Sequence, residues 1–151
     1  MLSSSSNLSQ VRRLEELAFA DWPALETRDV AGWRLRFSGG YTKRANSINA
    51  LTPDAQIDGG TLDALEAAYK ERRQRPAWRL TPLAPPAMAD LLARRGHQPI
   101  ERSLLQVCPL QPSFAASPDV SMIQPAPSPA WIDAFCTYSP CLLYTSPSPR
   151  D

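Results

Sequence analysis

The spacing of hydrophobic and polar positions changes repeatedly along the chain, and each change predicts an element. From about Leu8 to Ala20 the apolar positions Val11, Leu14, Leu17 and Ala18 recur at helical spacing, with Asn7 or Ser9 available to cap the first turn. Trp22-Pro23 breaks that period, because the residue before a proline is pushed out of the helical region, and a turn is expected from Leu25 to Asp29. Trp33, Leu35 and Phe37 then alternate with Arg34 and Arg36, the period of a strand with one apolar and one wet face. Ser38-Gly39-Gly40 supplies permissive backbone for a tight reversal, so a hairpin is expected. Its return arm sets Thr42, Arg44 and Asn46 on the side of Ile48 and Ala50, and Lys43, Ser47 and Asn49 on the other. Buried inside a sheet, those polar groups need partners.

Loop-like Thr52-Pro53-Asp54 and Asp58-Gly59-Gly60 precede a second helix, capped by Thr61, with Leu62, Leu65 and Tyr69 on one face and closed by Pro76. A short strand over 77–81 follows, and then a third helix that opens at Pro86 and stops at Gly96. The segment Ile100 to Val107 again reads as a strand. Beyond Cys108 the character shifts, since nine of the sixteen prolines lie between Pro109 and Pro149. Within that stretch Ser128 can cap a helix with Pro129 at its first position, ended by Pro140.

The composition bounds function more than fold. A chain of 151 residues with 43% hydrophobic content buries the core of about one domain. A net charge of +1 supplies no field that would favour nucleic acid or an anionic membrane, so neither is expected as a partner. Three cysteines, Cys108, Cys136 and Cys141, do not make a disulfide framework, and no secretory leader or membrane-length apolar run is visible. A cytoplasmic location is expected. No glycine pattern matches a dinucleotide or triphosphate loop, and neither His-Glu-x-x-His nor Cys-x-x-Cys occurs, which leaves no metal site to assign.

Few side chains remain as candidates for chemistry. His97, the one histidine, reads as a helix-end or strand residue before it reads as a catalytic base. Cys108 reads as a buried, inert thiol. Lys70, Arg72, Arg73 and Arg75 read as the solvated face of a helix, with phosphate binding as the lesser reading. Trp33 and Trp78 read as core. Tyr41, Arg44 and Asn46 are the candidate substrate-binding residues, because guanidinium and carboxamide groups orient polar ligands well. Equally, Arg44 and Asn46 could satisfy neighbouring loop backbone.

Several blocks in order carry a resemblance: Leu17-Ala18-Phe19-Ala20-Asp21-Trp22-Pro23-Ala24, Gly32-Trp33-Arg34-Leu35-Arg36, Gly39-Gly40-Tyr41-Thr42-Lys43-Arg44-Ala45-Asn46-Ser47 and Trp78-Arg79-Leu80-Thr81. Together with Leu91-Leu92-Ala93-Arg94-Arg95-Gly96-His97 and Trp131-Ile132-Asp133-Ala134-Phe135-Cys136, this succession resembles the amino-terminal part of bacterial GNAT-family N-acetyltransferases. The resemblance implies an α+β fold, a mixed or antiparallel sheet with flanking helices, as part of the acyl-CoA N-acyltransferase architecture. It also implies transfer of acetyl from acetyl-CoA to the amine of a small molecule or peptide. The family's pyrophosphate-binding Arg/Gln-x-x-Gly-x-Gly/Ala turn is absent, its nearest echo being Arg94-Arg95-Gly96 at the wrong end of a helix. A fragment without that turn is expected to be inactive, its site for acetyl-CoA missing.

The expected organisation is a disordered start over 1–7, an α+β domain over 8–110, a proline-rich linker over 111–128 and the opening of the acetyltransferase domain over 129–140. Residues 141–151 resemble a translated sequencing adapter, which places them outside the natural protein. The competing expectation is a non-catalytic α+β module that binds a small polar or acidic ligand through Arg34, Arg36 and Arg44.

Overall fold

The computed structural model describes residues 4–109 and 126–138. It divides into two units, Met1–Ile100 and Glu101–Asp151. In the first unit, helix α1 (Ser4–Asp21) leads into β1 (Glu26–Val30), β2 (Trp33–Phe37) and β3 (Ile48–Ala50). Helix α2 (Gly59–Lys70), β4 (Trp78–Arg79) and α3 (Met88–Arg94) complete it. The strands form one mixed sheet in the order β1-β2-β3-β4, antiparallel except for the parallel β3–β4 pair. The α+β class with flanking helices is thus what the chain adopts.

Two boundaries differ from the sequence reading. Helix α1 begins at Ser4, inside the stretch expected to be disordered. Strand β1 occupies what was expected to be a turn, because Glu26 to Val30 lies exposed along a sheet edge and therefore shows no apolar alternation. A tight two-residue reversal at Ala31-Gly32 joins Val30 to its partner Trp33, while Ser38-Gly39-Gly40 opens the longer loop that returns the chain to β3, antiparallel to β2 as the expected hairpin requires. Ala31 and Gly32 both have positive φ, 52° and 85°, the primed-turn geometry that matches strand twist. Gly32 has no substitute, since a Cβ there would meet the Ala55 backbone at 2.8 Å.

Strand β2 is central, and its two faces are buried against different neighbours. Trp33, Leu35 and Phe37 join Ile48, Ala50, Leu62, Leu65, Tyr69, Leu83, Met88 and Leu92 in the apolar core. Trp33 meets Trp78 edge to face at 5.2 Å and donates from Nε1 to the Gln56 carbonyl at 2.7 Å, which places both tryptophans where the sequence reading put them. On the opposite face, expected to be wet, Arg36 is buried. Helix α1 covers this face: Phe19 lies against the guanidinium groups of Arg34 and Arg36, and Glu15 pairs with Arg79.

Helix α2 is capped by Asp58, not Thr61; the Asp58 carboxylate accepts from the Thr61 amide at 2.9 Å and from its hydroxyl at 2.6 Å. Gly59-Gly60, expected as loop, forms the first turn. Helix α3 ends in a left-handed Gly96, with His97 N–H donating to Leu92 O and Gly96 N–H to Ala93 O, both at 3.0 Å. His97 is therefore the helix-end residue its position suggested. Its Nε2 lies 3.0 Å from Glu66, which Arg95 also reaches at 3.2 Å, so α3 is tied to α2.

In the second unit residues 101–109 are exposed and form no strand, contrary to the expected strand over Ile100 to Val107; alternation alone supplies no neighbour with which to pair. Cys108 is exposed rather than buried for the same reason. Helix α4 (Pro129–Tyr138) starts where expected, with Ser128 Oγ accepting from the Trp131 amide at 3.2 Å. The readings for 1–3, 110–125 and 139–151 lie outside the described residues.

Two measurements test the packing. The Tyr69 hydroxyl donates to Arg36 O at 2.9 Å and accepts from Arg36 N at 3.2 Å, so Tyr69→Phe strands a buried carbonyl and lowers unfolding free energy by about 1–3 kcal/mol in urea titrations. Burial pushes the Tyr69 phenol up to about 12, above its value of about 10 in an unfolded chain. Wild-type stability therefore falls as pH rises between those values, and Tyr69→Phe removes that part of the slope. Burial alone would raise Glu66, but hydrogen bonds from Arg95 and His97 outweigh it and hold the carboxyl below its ordinary value. That stabilisation is present above the ordinary glutamate range and is lost as pH falls through the lowered value. Glu66→Gln flattens the acid limb of stability against pH.

Candidate functional site

The loop between β2 and β3 carries all three candidate residues and is built around two of its neighbours. Gly39 and Gly40 adopt φ of 65° and 79°, turning the chain away from β2. Asn46, buried, then closes the loop from inside: its Oδ1 accepts from Ser38 N at 2.6 Å and Gly40 N at 2.9 Å. Its Nδ2 donates to Thr42 O at 2.8 Å and Ser38 O at 3.4 Å. The carboxamide is fully engaged with loop backbone, the second of the two roles open to it from sequence.

Arg36 fixes the loop from below. Its guanidinium donates to the carbonyl of Arg44 and to those of Phe19 and Trp22 at the end of α1. Phe19 O has lost its usual helical donor, because residue 23 is proline and has no N–H, and the guanidinium replaces that donor. The cation also sits at the negative end of the helix dipole. Burial lowers the Arg36 pKa, with repulsion from Arg34 and Arg79 adding to the effect. The sequence offered one signal of this role, a proline four residues after Phe19 together with a central-strand arginine.

Around this anchor several further polar groups are paired, although the buried Gln74 Oε1, whose side chain lies beside Gly40, has no hydrogen-bond partner among the described residues. Ser47 and Asn49 are buried and bonded to each other, with Asn49 Nδ2 reaching Ser47 O at 2.9 Å. Arg34 forms a two-pronged pair with Asp29 at 2.6 and 2.8 Å, which raises the arginine and lowers the aspartate. Arg34, Arg36 and Arg44 therefore do not share one free basic face. Arg72, expected on a solvated face, stacks over Phe37 at 4.0 Å and grips Glu26 at 2.8 and 2.9 Å.

Tyr41 and Arg44 are the candidates that reach solvent. The Arg44 guanidinium lies 5.9 Å from the centre of the half-exposed Trp22 ring. Tyr41, Arg44 and Asn46 thus share one loop but divide its work, with Asn46 holding what the other two present.

Neither glycine-containing helix end among the described residues fits the pyrophosphate of acetyl-CoA. Arg94-Arg95-Gly96 closes α3, where carbonyls point outward and disfavour an anion. The glycine pair that opens α2 is no better suited. Hydrogen bonds from the Thr61 side chain and backbone keep Asp58 ionised below its usual range, and its carboxylate occupies the amides a pyrophosphate would need.

The family described as Probable histone acetyltransferase Rv0428c C-terminal matches residues 8–146. The chain belongs to this acetyltransferase family. The resemblance to bacterial N-acetyltransferases read from the sequence blocks is borne out. Among similar proteins, the uncharacterized N-acetyltransferase YobR of Bacillus subtilis (strain 168) is 27% identical over 134 residues, 85% of this chain and 53% of its own length. The probable histone acetyltransferase Rv0428c of Mycobacterium tuberculosis (strain ATCC 25618 / H37Rv) is 32% identical over 94 residues, 62% of this chain and 30% of its own. The chain therefore spans about half the length of the first relative and under a third of the second. No solved structure matches it.

Replacing Asn46 by Ala removes the loop's internal donors and acceptors at once. We expect a loss of about 2–3 kcal/mol by urea unfolding and faster protease cleavage after Lys43 or Arg44, with β2 still protected from hydrogen exchange.

Proposed function

We propose that this chain is part of an acetyl-CoA-dependent GNAT-type N-acetyltransferase acting on the amine of a small molecule or peptide, and that the 151 residues alone do not turn over. The family match over residues 8–146 is the observation that supports acetyl transfer. The misfit of both glycine-containing helix ends to a pyrophosphate supports the inactivity of the chain by itself. In this reading the loop from Ser38 to Ser47 shapes the acceptor side: Tyr41 and Arg44 face the amine substrate, and Asn46 keeps them in place.

The cytoplasm is the proposed location, and neither nucleic acid nor membrane is a proposed partner. The small number of cysteines supports the first and the near-neutral charge the second, and among the described residues no helix is long and apolar enough to cross a membrane.

Radiolabelled acetyl-CoA offered with a panel of amines tests the reading. The 151-residue chain should yield no saturable acetyl transfer, whereas a protein that extends it to the length of its relatives should acetylate at least one amine. Saturable turnover by the chain alone sinks the claim of inactivity. Failure of the longer protein with every amine, at intact fold, sinks the acetyltransferase reading.

A further inference from the structure

We infer that Arg44 is an anion-recognition point that takes a carboxylate carried by the acceptor amine, an inference that rests on the acceptor-side reading of this loop. Among the described residues Arg44 has no ion-pair partner, a state it shares with exposed arginines such as Arg12, Arg73 and Arg94, but of these it is the one carried by the candidate loop. Its guanidinium is exposed and rests near the face of Trp22, which holds the charge without consuming its N–H donors. Its backbone is fixed from both sides, by the Arg36 guanidinium on its carbonyl and by Thr42 Oγ1 on its amide at 3.3 Å. The Asn46 contacts and the two left-handed glycines fix the loop that carries it.

A planar fork of donors on a fixed stem matches a carboxylate in two-pronged geometry, and little loop ordering remains to oppose binding. The desolvated Arg36 cation behind the loop adds positive potential without competing for the ligand, since its own N–H groups are taken by carbonyls. An acceptor that carries both an amine and a carboxylate would be oriented by the second group while the first stays free to react.

Trp22 makes the site observable without catalysis. Glutarate, with its neutral diamide as control, is titrated into the full chain while tryptophan emission is followed, and Trp22→Phe identifies the responding ring. We expect a saturable change with glutarate, little with the diamide, and affinity weakened roughly tenfold in Arg44→Gln and less in Arg44→Lys. Arg94→Gln, at the far end of α3, should bind as wild type. No response, an equal response to the diamide, or an affinity for glutarate that is unchanged in Arg44→Gln overturns the inference. So does coenzyme A saturating the same signal more tightly than glutarate, which would assign the point to the cofactor's phosphates. Because the titration needs no turnover, it reads out even where acetyl transfer fails, and the two claims fall separately.

Discussion

Among the described residues one buried cation, Arg36, has no carboxylate partner and joins the end of α1, strand β2 and the β2–β3 loop. Arg36 stands on the inner strand β2, its backbone gripped by Tyr69 from α2 and its guanidinium spread over three carbonyls at the end of α1 and in the β2–β3 loop. Desolvating a guanidinium is costly, and a set of well-placed neutral acceptors offsets that cost only when all are present together. The end of α1, the register of β2 and the path of the loop are therefore one cooperative arrangement. Pro23 makes it necessary by removing the donor that Phe19 O would otherwise use.

That arrangement explains what the sequence showed and what it hid. The helices were legible because Val11 and Leu14, Leu62 and Leu65, and the Ser128-Pro129 start all obey helical spacing or capping chemistry. Strand β2 was legible from Trp33, Leu35 and Phe37. Strand β1 was not, since Glu-Thr-Arg-Asp-Val buries nothing and earns its place only by pairing with β2. Ala31-Gly32 was overlooked because a non-glycine residue with positive φ has no compositional flag, whereas Gly39-Gly40 has an obvious one. Arg36 alternates with apolar neighbours as a solvent-facing residue would, and only the fold shows that a helix lies over it. In the candidate site the three residues were found, but the division between a buried brace, Asn46, and exposed side chains, Tyr41 and Arg44, depends on loop closure that no spacing encodes.

Family membership and local chemistry constrain one another here. The match to an acetyltransferase family covers most of the chain, yet the two glycine-containing helix ends offer a carboxylate at one and carbonyls at the other where an anion would need amides. The proposed placement of this chain on the acceptor side rests on that contrast and on the rigid loop, which is braced by the same arginine that secures α1.

The chemistry of the Arg36 brace also bears on the medium in which the unit holds its shape. Its partners are amide dipoles, which neither titrate nor attract counterions, and the contacts are shut away from the ionic atmosphere. The exposed pairs Arg28–Glu26 and Arg95–Asp63 weaken as salt rises, whereas the brace does not. Raising ionic strength therefore strips the unit's periphery of electrostatic support while leaving the junction of strand, helix and loop untouched, so the loop keeps its form under brine.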